Sequence, residues 1–431
     1  MAAGCRGIKM RKKNKLIYGV LGLVVIVGAL ALFPLFSHDG KTGGDPAPGE
    51  LTGSYETGAP GAADGSGGAD NAPTAEPDIV SIDIACVGDI MAHTSQVESA
   101  ARGDGTYSFA DNFEYVKKYI KAADVALCNV ETTFGGAPYR GYPAFSSPDE
   151  LAGDLADAGF DVAMTANNHM HDRGESGIVR TVEVLKSNGF VTTGSTADGI
   201  SPRYAMINVK GVNIAVIAYT YETPSPDGGV YLNGVRLSAA SSARINSFGY
   251  ENIDAELVKI KDVVDEAKAD GAEIVVLYYH WGEEYQTTAN KWQRYMAEET
   301  VKTMDVDVIF ASHPHNLQEA EYVDDVPVFF SMGNFISNQR VETLGADKRY
   351  TETGVIAQVK VDYDRANDVV TGTGMSAVPT WVDRYSAGGK TMYSIIPLDG
   401  ELDGNAVLAQ SGHLTRAKGA LSDANGLLKI D

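Results

Sequence analysis

From residue 79 onward, short apolar runs rich in Val, Ile and Ala alternate with polar, amphipathic stretches of helical length. That alternation predicts an α/β fold, because a buried strand reads as a continuous apolar run and the helix that follows buries only one stripe. Strands are expected at 80–87, 125–130, 161–165, 214–220, 274–279, 306–311 and 328–332, with helices at 148–158, 177–187, 252–269 and 290–304. Asn188-Gly189 and Asp270-Gly271 fall where helix C-caps and turns belong. Beyond residue 339, the segments 354–363 and 368–378 alternate as a hairpin, with Trp381, Tyr385 and Tyr393 closing the sheet or a lip of the cleft. The loosely spaced leucines of 399–431 predict one or two short surface helices.

The chain before residue 79 is patterned differently. Arg6, Lys9, Arg11, Lys12, Lys13 and Lys15 make 1–15 a basic segment without an acid, and 16–36 follows as an uncharged apolar run. Such a run is long enough to cross a bilayer as a helix and to contact membrane lipid. The basic flank comes first, so the positive-inside rule keeps the N-terminus cytoplasmic and places the main domain outside the cytoplasm. A retained single-pass anchor is expected over a cleaved signal peptide, because Phe33-Pro34-Leu35-Phe36 offers no small-x-small cleavage site. No Cys follows the run, so a lipoprotein anchor is not supported. Residues 37–78 are dominated by Gly, Ala, Pro, Ser, Thr, Asp and Glu and read as a flexible tether. The expected organisation is thus a basic tail (1–15), an anchor (16–36), a tether (37–78), one α/β domain (79–398) and a C-terminal tail (399–431).

Composition narrows the function classes. The 431 residues carry a formal net charge of −22, which argues against nucleic acid as a partner. With 44% hydrophobic and 21% charged residues, most of the chain should fold. Cys5, Cys86 and Cys128 form no Cys-x-x-Cys pair, so neither a disulfide framework nor a cysteine zinc site is indicated.

The candidate chemistry lies at the expected strand ends. Gly88-Asp89 follows one strand, Asn129 and Glu131 close the next, Asn167-Asn168-His169 follows the third and His280 ends a fourth. His313-Pro314-His315 and Gly333-Asn334 follow the last two. Ligands of open α/β sheets bind outside the carboxyl ends of the strands, so these residues are expected to converge on one edge. Asp172, Glu283 and Glu284 lie nearby in sequence. A mixture of imidazoles, carboxylates and an amide suits Mn, Fe, Zn or Co rather than Ca or Mg alone, as one or two ions. Each element has a plainer reading as a turn: Gly-Asp and Asn-Asn are ordinary turn formers, and two imidazoles flanking Pro314 face one point only if the backbone bends. Four of the eight histidines just beyond strand ends is the conjunction that favours a metal site. His171 reads as a solvated loop residue, His38 and His413 fall in the tether and the tail, and His93 remains open.

The ordered motifs Gly88-Asp89-Ile90-Met91, Asn129-Val130-Glu131, NNHMHDRG from Asn167, HWGEEY from His280, HPHNLQ from His313 and SMGNF from Ser331 resemble the CapA (PgsA) family of poly-γ-glutamate capsule synthesis over about 82–339. That family's domain is similar to calcineurin-like metallophosphoesterases, so the resemblance implies a layered αββα sandwich behind one N-terminal transmembrane helix. It further implies that Asp89 and His315 hold a first metal, that Asn168, His280 and His313 hold a second, and that Glu131 bridges them or serves as the second acid. His169 would be a general acid or an electrostatic stabiliser, with Asp172 catalytic beside it, and Glu284 and Asn334 would contact substrate. Two departures stand out: Asp-x-His is here Asp89-Ile90-Met91, and Gly-Asp-x-x-Asp is replaced by Asn129-Val130-Glu131. His93 or Glu284 would then fill the gap, or a single metal binds tightly. The resemblance supplies poly-γ-glutamate or a similar polymer as substrate, and capsule synthase and export membrane proteins as partners. The alternatives are a surface metallophosphoesterase and a non-catalytic assembly or export factor.

Overall fold

The computed structural model describes residues 76–430. The expected basic tail, anchor and nearly all of the tether lie outside the described residues. Among the described residues, no helix is long and apolar enough to cross a membrane.

Two mixed sheets stack face to face. The first runs, edge to edge, Lys390–Pro397, Val369–Ala387, Thr353–Asp364, Ile79–Ile90, Val125–Asn129, Val162–Met164 and Val191–Thr193, with Asn334–Ile336 also pairing with Ile79–Ile90. The second runs Ala320–Val323, Val326–Phe329, Val308–Ser312, Ile274–His280, Val212–Tyr221 and Ala205–Val209, with Ser247–Phe248 beside Val212–Tyr221. Side-chain alternation sets the layers. Ile82, Ile84 and Cys86 point between the sheets and meet Val216, Val276, Tyr278 and Phe310 of the second sheet. Ala85 and Val87 point outward onto Leu151, Leu155 and Leu185 of the Glu150–Ala158 and Gly174–Ser187 helices. The outer face of the second sheet packs Val275 and Leu277 against Leu257, Ile260 and Val264 of the Ile253–Ala269 helix and Met296 of the Lys291–Thr303 helix. Helix, sheet, sheet and helix thus form four layers.

The ladders have a shared starting device. Asp124, Asp161 and Asp307, each just ahead of a parallel strand, accept a hydrogen bond from the neighbouring strand's backbone at Asp83, Ala126 and Val275 respectively. Helix starts are capped where the sequence offers a short polar side chain. Asn290 Oδ1 takes the amides of Trp292 and Gln293, while Gln293 reaches back to the Asn290 amide.

Several expected boundaries move. The 354–378 hairpin is the long pair Thr353–Asp364 and Val369–Ala387, joined by Lys390–Pro397 into an antiparallel meander on the edge of the first sheet. The short strands Val191–Thr193 and Ala205–Val209 were not anticipated, because three to five partly polar residues carry too little periodicity to stand out. Residues 406–411 and 414–428 form two helices whose Val407, Leu408 and Ala417 pack on Trp381 and Ile396.

Candidate metal centre

All the parallel strands of both sheets point their carboxyl ends the same way, and their tips meet where the sheets face each other. Asp89, Asn129, Glu131 and Asn168 come from the first sheet, and His280, His313 and His315 from the second; all are buried. Contacts cross between the sheets directly. His315 Nδ1 lies 2.9 Å from Asp89 Oδ2, and His280 Nε2 lies 3.0 Å from Asn168 Oδ1.

Local backbone makes this convergence possible. Gly88 sits at a break in strand register, and a Cβ there would lie 2.0 Å from the Gly333 carbonyl oxygen. Only glycine lets the Asp89 turn approach the Gly333-Asn334 turn so closely. His313 and His315 both have positive φ, 105° and 57°, so the backbone around Pro314 bends as two inward-facing imidazoles require. Non-glycine residues in that region carry strain that the surrounding packing must hold, a feature that clusters at functional sites.

Glu131 is the centre of the donor set. Asp89, Glu131 and His280 offer ligand atoms all within 4.8 Å of one another, and so do Glu131, His313 and His315. The motif resemblance instead pairs Asp89 with His315 at one metal, and those two side chains are in direct contact here. In the structure Asp89 Oδ2 is already joined to His315 Nδ1, and Asn129 Nδ2 donates to Asp89 Oδ1 over 2.8 Å. His315 Nδ1 also lies 3.1 Å from Asn334 Oδ1.

The electrostatics fit a cation. Both Glu131 oxygens are buried without any protein hydrogen bond, as is His313 Nδ1. Burial first, and then the neighbouring Asp89 charge, push the Glu131 carboxyl well above the ordinary carboxylate range. Burial acts in the same direction on Asp89, but the His315 hydrogen bond and the charges of His315 and His280 outweigh it and hold that group well below the range. Burial pulls His280 down to about 3 and His313 well below the usual imidazole value, so both are neutral imidazoles near pH 7. Burial also works against the His315 charge, yet the bond to Asp89 raises its pKa overall. A buried carboxyl without a hydrogen-bond donor, 3.6 Å from His280 Nε2 and beside His313, is costly alone and is what a divalent metal would satisfy.

Around this centre the remaining expected residues are placed as follows. His169 Nδ1 is 2.8 Å from Asp172 Oδ2, which also accepts the Phe145 amide over 2.6 Å. The Phe145 and His169 rings meet edge to face at 4.7 Å. Asn334, expected to contact substrate, is fully buried and donates to Gln339 and the Thr351 carbonyl, so it buttresses His315 rather than facing solvent. Glu284 lies on an exposed turn at the rim, where its charge reaches Glu131 and His315. His93, which was open as a substitute ligand, has Nδ1 3.2 Å from the Asn338 amide and 3.1 Å from the Met91 carbonyl. His171 is half-buried against Ser241 rather than solvated. His413 is bonded to the buried Asp383 at 2.6 Å.

Three further residues support the site: Asn129 and Asn167, expected at the strand ends without an assigned role, and Asn233, which was not anticipated. Asn129 bonds Asp89 and approaches His280, Asn167 Nδ2 bonds the Val130 carbonyl, and Asn233 Oδ1 accepts from Asn168 Nδ2 over 2.9 Å. Asn233-Gly234 is a readable hairpin turn, but nothing in a turn signature reports what it touches.

The family model described as bacterial capsule synthesis protein PGA_cap matches residues 83–339. The chain is 28% identical over 261 residues to the capsule biosynthesis protein CapA of Bacillus anthracis, covering 59% of each. It is 29% identical over 264 residues to the PGA biosynthesis protein CapA of Bacillus subtilis, covering 59% of this chain and 62% of that one. The chain thus spans about three-fifths of the length of the curated relatives it matches. Among solved structures it is similar to a novel phosphatase from Mycoplasma pneumoniae, at 12% identity and a TM-score of 0.40 over 70% of this chain and 95% of that one. It is also similar to the calcineurin-like phosphoesterase YfkN of Bacillus subtilis, at 13% identity and a TM-score of 0.41 over 81% of this chain and all of the other.

Proposed function

We propose, from the premise that this chain belongs to the bacterial capsule synthesis protein PGA_cap family, that it is a metal-dependent hydrolase or transferase in the synthesis or processing of poly-γ-glutamate or a similar surface polymer. The observation that carries the metal-dependent part is Glu131, a fully buried carboxyl whose one ion-pair contact is His280 Nε2 at 3.6 Å and which is shared by two sets of potential ligands. Asp89, Asn168, His280, His313 and His315 complete the set. Such donors suit one or two ions of Mn, Fe, Zn or Co. When bound, a divalent metal at these residues lowers the pKa of coordinated water and polarises the oxygen of the bond to be cleaved.

The chain's own residues do the rest. Asp172 holds His169 through Nδ1, which leaves Nε2 to carry a proton to the departing amine. Phe145 and Tyr142 stand around the same imidazole and limit water there. A net charge of −22 repels a polyglutamate strand, so a cationic centre is also what would draw one in. In this reading 16–36 anchors the chain in the membrane, the catalytic domain lies outside the cytoplasm, and integral-membrane synthase and export proteins are its partners.

The test is elemental analysis of the full chain purified without chelator, beside His313→Ala/His315→Ala. About one or two equivalents of Mn, Fe, Zn or Co in the wild type, lost from the double variant, is the expected result. Turnover is then assayed on oligo-γ-glutamates beside phosphoesters. Metal absent from the wild type even after reloading would leave a non-catalytic assembly or export role as the better account.

A further inference from the structure

Next to the ligand cluster lies a cavity of about 340 Å³, bounded by the end of the Val212–Tyr221 strand, the 249–251 turn and the start of the Lys291–Thr303 helix. Its walls are aromatic. The Tyr250 ring centroid is 6.4 Å from that of Tyr221 on one side and 6.4 Å from that of Trp292 on the other. Tyr221 joins the cavity to the centre: its ring lies 4.6 Å from that of His313, and its hydroxyl interacts with Asn168. A ligand group in the cavity therefore sits one ring's width from the proposed metal ligands.

Carboxylates outnumber cations around these rings. Glu222, Glu251 and Glu283 line the cavity, and no Lys or Arg does. Ser225 also lines it, and its Oγ is buried without a hydrogen-bond partner. The amides at the start of the Lys291–Thr303 helix are taken by Asn290, so they offer no anion site here. Lys291 Nζ already stands 4.8 Å from the Trp292 ring centroid, one cation held by this aromatic surface. Aromatic faces, carboxylates and a spare hydroxyl acceptor are the chemistry that favours a group bearing an ammonium over one bearing a carboxylate alone.

We infer that this cavity binds the ammonium-bearing end of the substrate and so sets which bond reaches the metal ligands. The inference rests on the proposed function for the identity of that substrate. Every residue of a γ-linked polyglutamate carries an α-carboxylate, and at the amino terminus the same carbon also bears the ammonium group, so the chain end differs from the interior by that one positive charge. The cavity therefore selects a chain end over a chain interior, and the enzyme works from the amino terminus.

The experiment follows the indole signal of Trp292 in the full chain, assigned with Trp292→Phe; Trp281 and Trp381 are buried and Trp292 is 37% exposed. Butylammonium, butyrate and 1-butanol are titrated with and without added metal. Saturable perturbation by butylammonium alone is expected, with affinity about 3- to 10-fold weaker in Glu283→Gln and in Glu251→Gln. An oligo-γ-glutamate with a free amino terminus should compete, and its N-acetylated form should not. Equal binding of butyrate, no saturable binding of butylammonium, or equal competition by the acetylated oligomer would overturn the assignment. Butylammonium binding with no competition from either oligomer would retain the ammonium site and remove polyglutamate as the substrate. A wild type that takes up no metal even after reloading, yet binds butylammonium, would count against the proposed function alone.

Discussion

Glu131 shows how much one side chain can decide. Its oxygens sit fully buried with no donor, beside Asp89 and three imidazoles. Glu131→Gln keeps the volume and removes the charge. It is expected to weaken metal retention at least about 10-fold while raising the stability of the chelator-treated protein by about 1–2 kcal/mol. Metal titration and denaturant unfolding of the two proteins check both directions, and a fall in both would mean that Glu131 serves packing rather than metal. At His169 the expected outcome is different. Asp172→Asn leaves an amide where a carboxylate orients the imidazole, so metal content should be unchanged while kcat falls about 100-fold or more. Equal loss of metal and turnover would move Asp172 from orienting the acid to holding the centre.

Elements carry the next level of decision, because a ligand set is only as good as the strand ends that present it. The turn at Gly88 has no room for a Cβ against the Gly333 carbonyl. Gly88→Ala is expected to cost about 3 kcal/mol and to reduce metal affinity with it, since the shift moves Asp89 directly. Affinity unchanged at reduced stability would show that Asp89 is not a ligand. A second prediction concerns how strands start. Burial raises the Asp307 carboxyl to about 6 even though it accepts the Val275 amide. A carboxyl whose folded pKa is raised binds its proton more tightly when folded, so its stability contribution is present at low pH and is lost as pH rises through about 6. Asp307→Asn, which keeps an acceptor for Val275, should therefore gain on the order of 1 kcal/mol over the wild type at pH 8 and little at pH 3, below the unfolded value. Thermal midpoints at the two pH values decide it.

Across the described residues the core is divided into a layer between the sheets and one on each outer face, and Ala424 and Leu428 of the C-terminal helix belong to the layer between the sheets. Arg416 bonds the buried Glu352 through Nη2 and Glu342 through Nη1, and the Trp381 indole donates to Glu352 as well. Arg416→Ala leaves Glu352 with the Trp381 indole, the Val341 amide and a distant Arg340. It is expected to cost about 1–3 kcal/mol, discounted for the partial exposure of Arg416, and to loosen the Leu414–Leu428 helix first. Hydrogen exchange that accelerates uniformly, rather than in that helix, would show that it does not open separately.

Periodicity and strand-end composition were readable in the chain itself. The seven strands and four helices expected from 79 to 332 all exist within a few residues of their expected limits, because buried parallel strands and one-sided helices leave strong local patterns. Asp89, Glu131, Asn168, His280, His313 and His315 were identifiable because donor residues repeated after strand after strand. What the chain could not state was which donors share a neighbour. The association of Glu131 with both His280 and His315, the use of Asn129 and Asn233 as supports, and the turning of Asn334 inward all depend on two separate sheets meeting at one edge. Short edge strands were equally silent, since their pairing rather than their composition makes them strands. The aromatic, acidic cavity beside the centre belongs to the same class: Tyr221, Tyr250 and Trp292 are ordinary residues in sequence, and only packing puts their faces around one space next to His313. Local pattern is a property of neighbours along the chain, whereas a site is a property of neighbours in space, and only burial of the common core joins the two.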